Sequence, residues 1–436
     1  MRKIAKILSG AALISAVAIL APGAAMAQDA PTLESLAAND AFVFNTLLFL
    51  IGGFLVMWMA AGFAMLEAGL VRTKNVSMQC LKNISLYSVA GLMFWVIGYN
   101  LMYGGGTFFG TFSVMSFTAE DTATGYSSYS DWFFQMVFCA TTASIVSGTV
   151  AERIKFWPFI IFTVLLTGFI YPIVGSWEWG GGYLDSKWGF SDFAGSTLVH
   201  STGGWAALIG AIILGARKGK YVDGKVNPIP GSNMPLATLG VFILWLGWFG
   251  FNGASQLAMG TITDADSIAK VFVNTNMAAV AGVLVAVIYT QLRYKKIDLT
   301  MALNGALAGL VAITAEPLTP SVPAALLIGG AGSLLACLTV PLLDKFKIDD
   351  VVGAIPVHLV AGIFGTLIVP ATNGDATWLG QFVGVVMVGV FVSTVSAIIW
   401  TVLKFTIGIR VSDEEEYDGL DAHEVGISSY PEFVNS

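Results

Sequence analysis

The sequence predicts an all-α polytopic membrane protein with eleven transmembrane helices, and three observations indicate this fold class. Of its 436 residues, 56% are hydrophobic and 11% are charged, whereas a soluble domain carries about 25% charged residues. Apolar runs long enough to cross about 30 Å of hydrocarbon recur along the chain. Basic residues collect in alternate loops between these runs, which is the charge bias of a multi-pass protein.

The N-terminal segment is interpreted as a signal peptide at residues 1–27. It has a basic start, a short apolar run that ends in Pro-Gly at 22–23, and the small-residue sequence Ala-Met-Ala at 25–27. These features are typical of a cleaved secretory signal, which does not belong to the fold. An uncleaved first anchor is the alternative. Residues 28–40 then form a short periplasmic N-terminus.

The membrane domain is predicted at residues 41–408. Its apolar runs define spans at 43–70, 80–104, 131–151, 156–177, 193–215, 235–256, 269–291, 300–316, 322–342, 354–370 and 377–404. Basic residues fall in the loops after the odd-numbered spans, which places those loops inside the cell. The mature N-terminus is then periplasmic, and the tail at residues 409–436 is cytoplasmic.

Two similar segments carry two of the three histidines of the chain. DFAGSTLVHSTGG begins at Asp192, and DVVGAIPVHLVAG begins at Asp350; they share the pattern D-x-x-G-x-x-x-V-H-x-x-x-G. They open the fifth and tenth spans, which run in opposite directions. This arrangement predicts an inverted repeat of spans 1–5 and 6–10, with the eleventh span as a C-terminal addition.

The spacing within these segments predicts where their histidines lie. His200 and His358 each follow an aspartate by eight residues, which is about 12 Å of helical rise. From opposite faces of the membrane, that rise brings both imidazoles near the midplane, where transporter sites commonly lie between the repeats. Two unrelated histidines bound to backbone carbonyls are the alternative. The two histidines occupy the same position in their segments, and burial of ionisable groups in a membrane is costly. Both observations favour a functional pair over two unrelated histidines.

Motifs over most of the mature chain, from about residue 40 to 425, resemble those of the ammonium transporter family, in particular the bacterial members of the Amt/MEP/Rh group. Besides the two histidine segments, they are FAMLEAGLVRTKN, SGTVAERI, EWGGGYL, LGWFGFNGAS, FVNTN and, in the tail, GLDAHE. The resemblance implies an ammonium transporter or channel of the cell inner membrane rather than an enzyme. Ammonium or ammonia is the implied substrate, with methylammonium as a further candidate.

The resemblance also implies a role for individual residues. The cation is recruited at an outer aromatic vestibule, loses a proton, and crosses as ammonia through a hydrophobic pore while the proton is relayed separately. The implied residues are Trp179, Phe134 and Ser255 in the vestibule, Asp192 in support of it, Phe138 and Phe251 as stacked rings, Trp248 in the pore wall, and His200 and His358 as twin histidines.

Ordinary structural roles remain open for several of these residues. Trp179 suits an interfacial aromatic belt, the phenylalanines suit simple packing, and Ser255 suits helix packing. Asp192 suits a helix N-cap, which is compatible with a role at the vestibule, and Asp350 is expected to be only a cap.

Gly353 departs from the family pattern. It stands where many bacterial members have an aspartate before the second histidine, so the resemblance does not imply a second acidic group near the inner mouth.

Glu67 and Lys82 are charged residues near the cytoplasmic ends of spans 1 and 2. We expect them to extend toward the membrane surface or to pair with each other.

Partners and cofactors complete the predictions. The resemblance implies a homotrimer in the lipid membrane and a regulatory tail that binds a PII-type signal protein. A net charge of −7 gives no indication of nucleic-acid binding, and three cysteines without metal spacing indicate no metal or other cofactor. An ammonium sensor and a haem protein with axial ligands His200 and His358 are the alternative functions.

Overall fold

The computed structural model describes residues 32–118 and 124–433. The predicted signal peptide at 1–27 lies outside the described residues, as do the first four residues of the predicted periplasmic segment. The chain divides into two units, Met1–Asp40 and Ala41–Ser436. Every candidate site residue belongs to the second unit.

The first half of the described chain consists of helices and short connections. The α-helices are α1 Leu33–Leu70, α2 Val76–Met93, α3 Tyr99–Tyr103, α4 Ser128–Thr149, α5 Phe156–Leu165, α6 Tyr171–Ser176, α7 Tyr183–Trp188 and α8 Thr202–Leu214. Wider π-helical turns at Phe94–Gly98, Leu166–Ile170 and Ser196–Ser201 precede α3, α6 and α8. A 3-10 turn, Thr73–Asn75, precedes α2.

The second half begins with a two-residue antiparallel hairpin, in which Tyr221 pairs with Val226. Its strands are β1 Tyr221–Val222 and β2 Lys225–Val226. The helices that follow are α9 Met234–Gly253, α10 Ile262–Tyr294, α11 Leu299–Thr314, α12 Val322–Lys345, α13 Ala361–Ile368, α14 Trp378–Thr406 and α15 Asp413–Asp418. The π-helical turns are Ile355–Val360 and Asp421–Val425, and the 3-10 turns are Ala254–Gln256, Val369–Ala371 and Pro431–Phe433.

The predicted fold class, an all-α polytopic membrane protein, is confirmed. Within residues 32–118 and 124–433, eight helical segments are long and apolar enough to cross a membrane. Three other predicted spans coincide with helices that are shorter or less apolar, namely Leu299–Thr314, Ile355–Ala371 and Ser128–Thr149. The total of eleven crossings therefore stays a prediction.

Small residues bring the long helices into close contact. A Cβ atom on Gly282 of α10 would lie 2.1 Å from the carbonyl oxygen of Gly305 on α11. One on Gly309 would lie 2.4 Å from the carbonyl oxygen of Ala278. Glycine at these positions lets the two backbones touch, as is common between membrane helices. Large apolar side chains on the other faces of the bundle, such as Leu284 and Leu292, are exposed and suit contact with lipid.

Buried ion pairs fix the loops at the predicted cytoplasmic end. The Arg217 guanidinium lies 2.8 Å from the Asp349 carboxylate and 3.3 Å from that of Glu152, and Arg72 lies 2.6 Å from Glu152. Burial alone raises the pKa of Asp349, but the hydrogen bonds of Arg217 and the charges of Arg217 and Arg153 overcome it and hold that pKa well below its usual range. These pairs hold together loops that are far apart in the chain.

The tail contacts the same end of the helix bundle. The Asp421 carboxylate accepts hydrogen bonds from the backbone N–H groups of Ser77 and Met78 at the start of α2. Arg410 pairs with Glu416 at 2.6 Å. Arg410 also donates to the backbone oxygen of Leu214 at the end of α8, the helix that follows His200. The tail thus contacts the start of α2 and the end of α8.

Candidate functional site

Asp192 holds the first histidine segment by its backbone. Its two carboxylate oxygens accept four backbone N–H groups at 2.7–3.1 Å, those of Gly195, Ser196, Thr197 and Leu198. Gly195 has a φ of 105°, a conformation that residues with a Cβ atom rarely adopt. The carboxylate thus satisfies the free N–H groups at the start of the π-helical turn that carries His200.

Asp350 holds the second segment in a similar way. Its carboxylate accepts the N–H groups of Gly353 at 3.2 Å and Ile355 at 2.7 Å, together with the Thr149 hydroxyl at 3.1 Å. Gly353 has a φ of 83°, and a Cβ atom there would lie 2.3 Å from the amide nitrogen of Asn304. The chain geometry therefore favours glycine at this position.

The two histidines meet in the middle of the protein. The Nδ1 atoms of His200 and His358 are 3.1 Å apart, and both side chains are buried. Because neutral imidazole has one donor and one acceptor nitrogen, one Nδ1 donates a proton and the other accepts it. The contact therefore couples the two tautomers. The Nε2 atom of His200 is buried and has no hydrogen-bond partner.

Trp248 forms a fixed wall beside the histidines. Its ring stacks on His200, with the ring centroids 5.0 Å apart and the planes at 16°. Its indole N–H donates to the hydroxyl of Thr314 at 2.8 Å, which in turn donates to Asn252 at 3.1 Å. The indole N–H is therefore bound on the side away from the histidines, and one face of the indole ring stays against the imidazole of His200.

Two phenylalanine rings cover the histidines on one side. Phe138 and Phe251 stack with centroids 4.1 Å apart, and both are buried. Phe251 lies 5.3 Å from the His200 ring, and Phe134 lies 4.9 Å from Phe138. The stacked pair separates the histidines from the cavity beyond it.

That cavity, which we name the outer basin from its predicted orientation, has a volume of about 440 Å³. Trp179, Phe134, Phe138 and Ser255 all line it. The Trp179 indole N–H donates to the backbone oxygen of Asp192 at 3.0 Å, so the ring is fixed to the first histidine segment. The Ser255 hydroxyl donates to the Phe251 carbonyl at 2.7 Å, which leaves its oxygen able to accept from an N–H donor.

The outer basin also contains residues that the sequence reasoning missed. Asp131 lines it with Tyr99, Tyr103 and Tyr126. The Tyr99 hydroxyl donates to the Asp131 carboxylate, and the Gln135 amide donates to its other oxygen at 3.4 Å. Asp131 precedes Phe134 by three residues, so helical spacing alone would have placed both on one face.

The expectation that Glu67 and Lys82 extend to the membrane surface is wrong, because both side chains are buried. The Glu67 Oε2 atom accepts from Gln79 at 2.6 Å, from Asn83 at 3.0 Å and from the Ser147 hydroxyl at 2.8 Å. The Lys82 ammonium donates to the Ser147 carbonyl at 2.8 Å. Ser147 therefore bridges the two charges, and local polar groups replace the water that such side chains would otherwise seek.

The geometry disfavours the haem alternative. An iron atom between two imidazole nitrogens needs about 4 Å between them, since metal–nitrogen bonds are about 2 Å. The observed Nδ1 separation of 3.1 Å is too short for a metal in that place.

The fold and this site define a multi-pass membrane protein with a buried pair of imidazoles between two cavities. The sequence matches the Ammonium Transporter Family over residues 47–430. The chain belongs to the ammonium transporter family, as its motifs predicted.

Individual relatives are similar over nearly the whole chain. Ammonium transporter Amt2 of Archaeoglobus fulgidus is 40% identical, covering 92% of this chain and 91% of its own. Ammonium transporter Amt1 of Haloferax mediterranei is 38% identical, covering 89% and 80%. Among solved structures, a sensor Amt protein has a TM-score of 0.82 at 36% identity, covering 90% of this chain and 100% of its own. Candida albicans Mep2 has a TM-score of 0.78 at 25% identity, covering 88% and 90%.

Proposed function

We propose that this protein moves ammonium across the inner membrane by separating it into ammonia, which passes a hydrophobic pore lined by twin histidines, and a proton, which is relayed separately. The supporting observation is the buried imidazole pair, 3.1 Å apart at Nδ1, behind stacked phenylalanine rings at the floor of an acidic, aromatic basin. Membership of the ammonium transporter family supports the choice of substrate.

Recruitment takes place in the outer basin. Trp179 and Phe134 attract a cation through their ring faces, each with about 0.5–2 kcal/mol, and the Ser255 oxygen accepts one N–H bond. Asp192 acts through its backbone oxygen, which holds Trp179 in place. Potassium has no N–H group to donate and no proton to lose, so these contacts favour ammonium.

Deprotonation removes the main barrier. The idealised cost of moving an ammonium-sized ion into an apolar interior is about 20 kcal/mol, and several kcal/mol remain after relaxation. Contacts with the rings of Phe138 and Phe251 are too weak to offset that cost. Neutral ammonia avoids it and can pass between the rings when they part.

The histidines then serve both species. Each neutral imidazole offers one donor and one acceptor nitrogen, which matches the lone pair and N–H groups of ammonia. A proton that arrives at His200 can pass through the Nδ1 contact to His358, because the two tautomers are coupled. Trp248, whose ring stacks on His200, confines ammonia to the space beside the histidine pair.

The decisive experiment is reconstitution in liposomes. An ammonium pulse is expected to give an electrical current and an ammonia-dependent change of internal pH, whereas a potassium pulse gives neither. Liposomes without protein are the control. Absence of both current and ammonia flux would contradict transport.

Assembly and regulation are also part of the proposal. A homotrimer with one pore per subunit follows from the family resemblance and is tested by the mass of the detergent-solubilised protein; a monomer would contradict it. A PII-type signal protein is the proposed partner of the cytoplasmic tail. Binding of a purified PII-type protein to the full-length chain, and its loss when residues 409–436 are removed, would support this partner.

Ammonium sensing is a second candidate function. Its support is the similarity to the sensor Amt protein, together with a tail that is bound to the start of α2 and to the loop after α8 at the predicted cytoplasmic end. A protein that carries neither current nor ammonia in liposomes, yet binds a PII-type protein only when ammonium is present, would favour sensing over transport.

A further inference from the structure

A small cavity lies on the opposite side of the histidines from the outer basin, and we name it the inner cavity. His358 and Phe63 line it, and their rings are 6.1 Å apart. Its volume is about 10 Å³, close to the about 10–15 Å³ that one water-sized molecule needs. Ammonia is of that size, so the inner cavity has room for one ammonia molecule next to His358.

Glu67 lines the same cavity. It follows Phe63 by four residues on α1, so the two side chains lie one helical turn apart on the same face. The Glu67 side chain is only 1% exposed. Among the described residues that line the inner cavity, it is the one carboxylate.

The two oxygens of this carboxylate differ. Oε2 accepts three hydrogen bonds, from Gln79, Asn83 and Ser147. Oε1 is buried and has no hydrogen-bond partner. A buried carboxylate oxygen without a partner is costly, and here it lies in a residue that lines a cavity of ammonia size.

Opposing influences act on the charge of Glu67. The three donors and the nearby Lys82, which shares Ser147 with it, stabilise the ionised form, whereas burial stabilises the neutral form. A group with this balance can take up a proton and release it again.

We propose that Glu67 is the substrate-binding carboxylate of the inner cavity, where the proton and ammonia recombine. This inference rests on the proposed transport function. The proton that leaves the histidine pair forms an O–H bond at Oε1 of the ionised carboxylate. Ammonia in the inner cavity then takes that proton with its lone pair, the O–H bond breaks, and a fourth N–H bond forms. Ammonium leaves, and the carboxylate is ionised again.

The test compares three variants in proteoliposomes, with current and ammonia flux measured on the same preparations. Glu67→Gln keeps the size of the side chain but removes the proton acceptor, Glu67→Asp keeps the acid, and Glu34→Gln makes the same change at an exposed position near the start of α1. We expect Glu67→Gln to lower the current at least about tenfold, a modest loss for removal of a proton-transfer group, while ammonia flux falls much less. Glu67→Asp should recover part of the current, and Glu34→Gln should match the wild type.

Several outcomes overturn the inference. An unchanged current in Glu67→Gln does so, and so does a wild type that carries ammonia without current. Equal losses of current and ammonia flux in Glu67→Gln, with no recovery in Glu67→Asp, indicate a packing role instead. A wild type with neither activity overturns the proposed function itself, whereas an active wild type with an unaffected Glu67→Gln variant overturns this inference alone.

Discussion

On the side of the outer basin, Asp192 holds its histidine segment by four backbone N–H groups, whereas on the other side Asp350 holds the matching segment by two and a threonine hydroxyl. The first segment borders a cavity of about 440 Å³ whose walls are rich in aromatic rings. The second borders a cavity of about 420 Å³ with largely aliphatic walls and, next to His358, a separate one of about 10 Å³. Similar backbone geometry thus leads to different surroundings.

This difference teaches how one repeated element can serve two steps. A wide basin lined by rings and one acid suits the collection of a hydrated cation, since several weak contacts can act together. A cavity of one-molecule size suits a species that has already lost its hydration shell. The sequence pattern sets the position of each histidine, and the helices packed against it set the chemistry that it meets.

Removal of the two aspartates should give the largest and most unequal effects. Asp192→Ala leaves four buried N–H groups without partners, and each costs about 1–3 kcal/mol, so little folded protein is expected. Asp350→Ala leaves fewer groups, at a half-buried position, and should lower the thermal unfolding temperature only moderately. Thermal unfolding in detergent measures both.

Asp192→Asn, which keeps one acceptor oxygen, serves as the control for the first variant and should fall between wild type and Asp192→Ala. Equal destabilisation by Asp192→Ala and Asp350→Ala would remove the difference between the two segments.

Replacement of either histidine by alanine should have the next largest effect. Hydrogen bonds that involve a charged or proton-sharing group contribute about 1.5–3 kcal/mol, so the ammonium current should fall about 10- to 100-fold. Discrimination against potassium should weaken as well, since removal of His200 or His358 leaves a space that an ion can occupy. Currents from ammonium and potassium pulses measure both effects.

Both His200→Ala and His358→Ala leave the other imidazole without its buried partner, which costs about 1–3 kcal/mol, so folded protein with a moderately lowered unfolding temperature is expected. Thermal unfolding of the same preparations separates loss of transport from loss of folding. Unchanged flux together with unchanged potassium exclusion, in either variant, argues against the twin-histidine role.

Replacement of Asp131 by asparagine should affect recruitment rather than passage. The amide keeps the side-chain shape and a contact with Tyr99 but removes the negative charge from the outer basin. We expect the half-saturating ammonium concentration to rise about tenfold, or about 1.4 kcal/mol, with a nearly unchanged maximal current. If the maximal current instead falls by a similar factor, Asp131 acts in passage rather than in recruitment, and the outer basin is not functionally distinct from the pore.

Replacement of Trp179 by leucine should have the smallest effect of this series. At this partly exposed site, a loss of about 0.5–1 kcal/mol of cation–π attraction raises the half-saturating concentration about two- to fivefold. Trp58, which is exposed on α1, provides the matched control as Trp58→Leu. If the two tryptophan variants behave alike, Trp179 is a belt residue and not part of the basin.

Particular residues show how much of the site the sequence could predict. The matching depth of His200 and His358 could be predicted, because it depends on local spacing and on the direction of each span. Asp131 was not identified as a site residue, although it opens the third predicted span, since nothing local connects it to Trp179. The expectation that Glu67 and Lys82 reach the surface was wrong because that rule does not anticipate Ser147 on another helix. The alternative, a mutual pair, came closer, since both side chains contact Ser147.

The sequence by itself determined the helical segments, their apolar character and the positions of the two histidines along them, because these depend on run length and on the rise per residue. Only the tertiary structure decided that the imidazoles touch through Nδ1, across 158 residues of sequence. It also decided that Glu67 lines the cavity next to His358. Contacts of this kind depend on the packing of helices that are distant in the chain, and no local pattern specifies them.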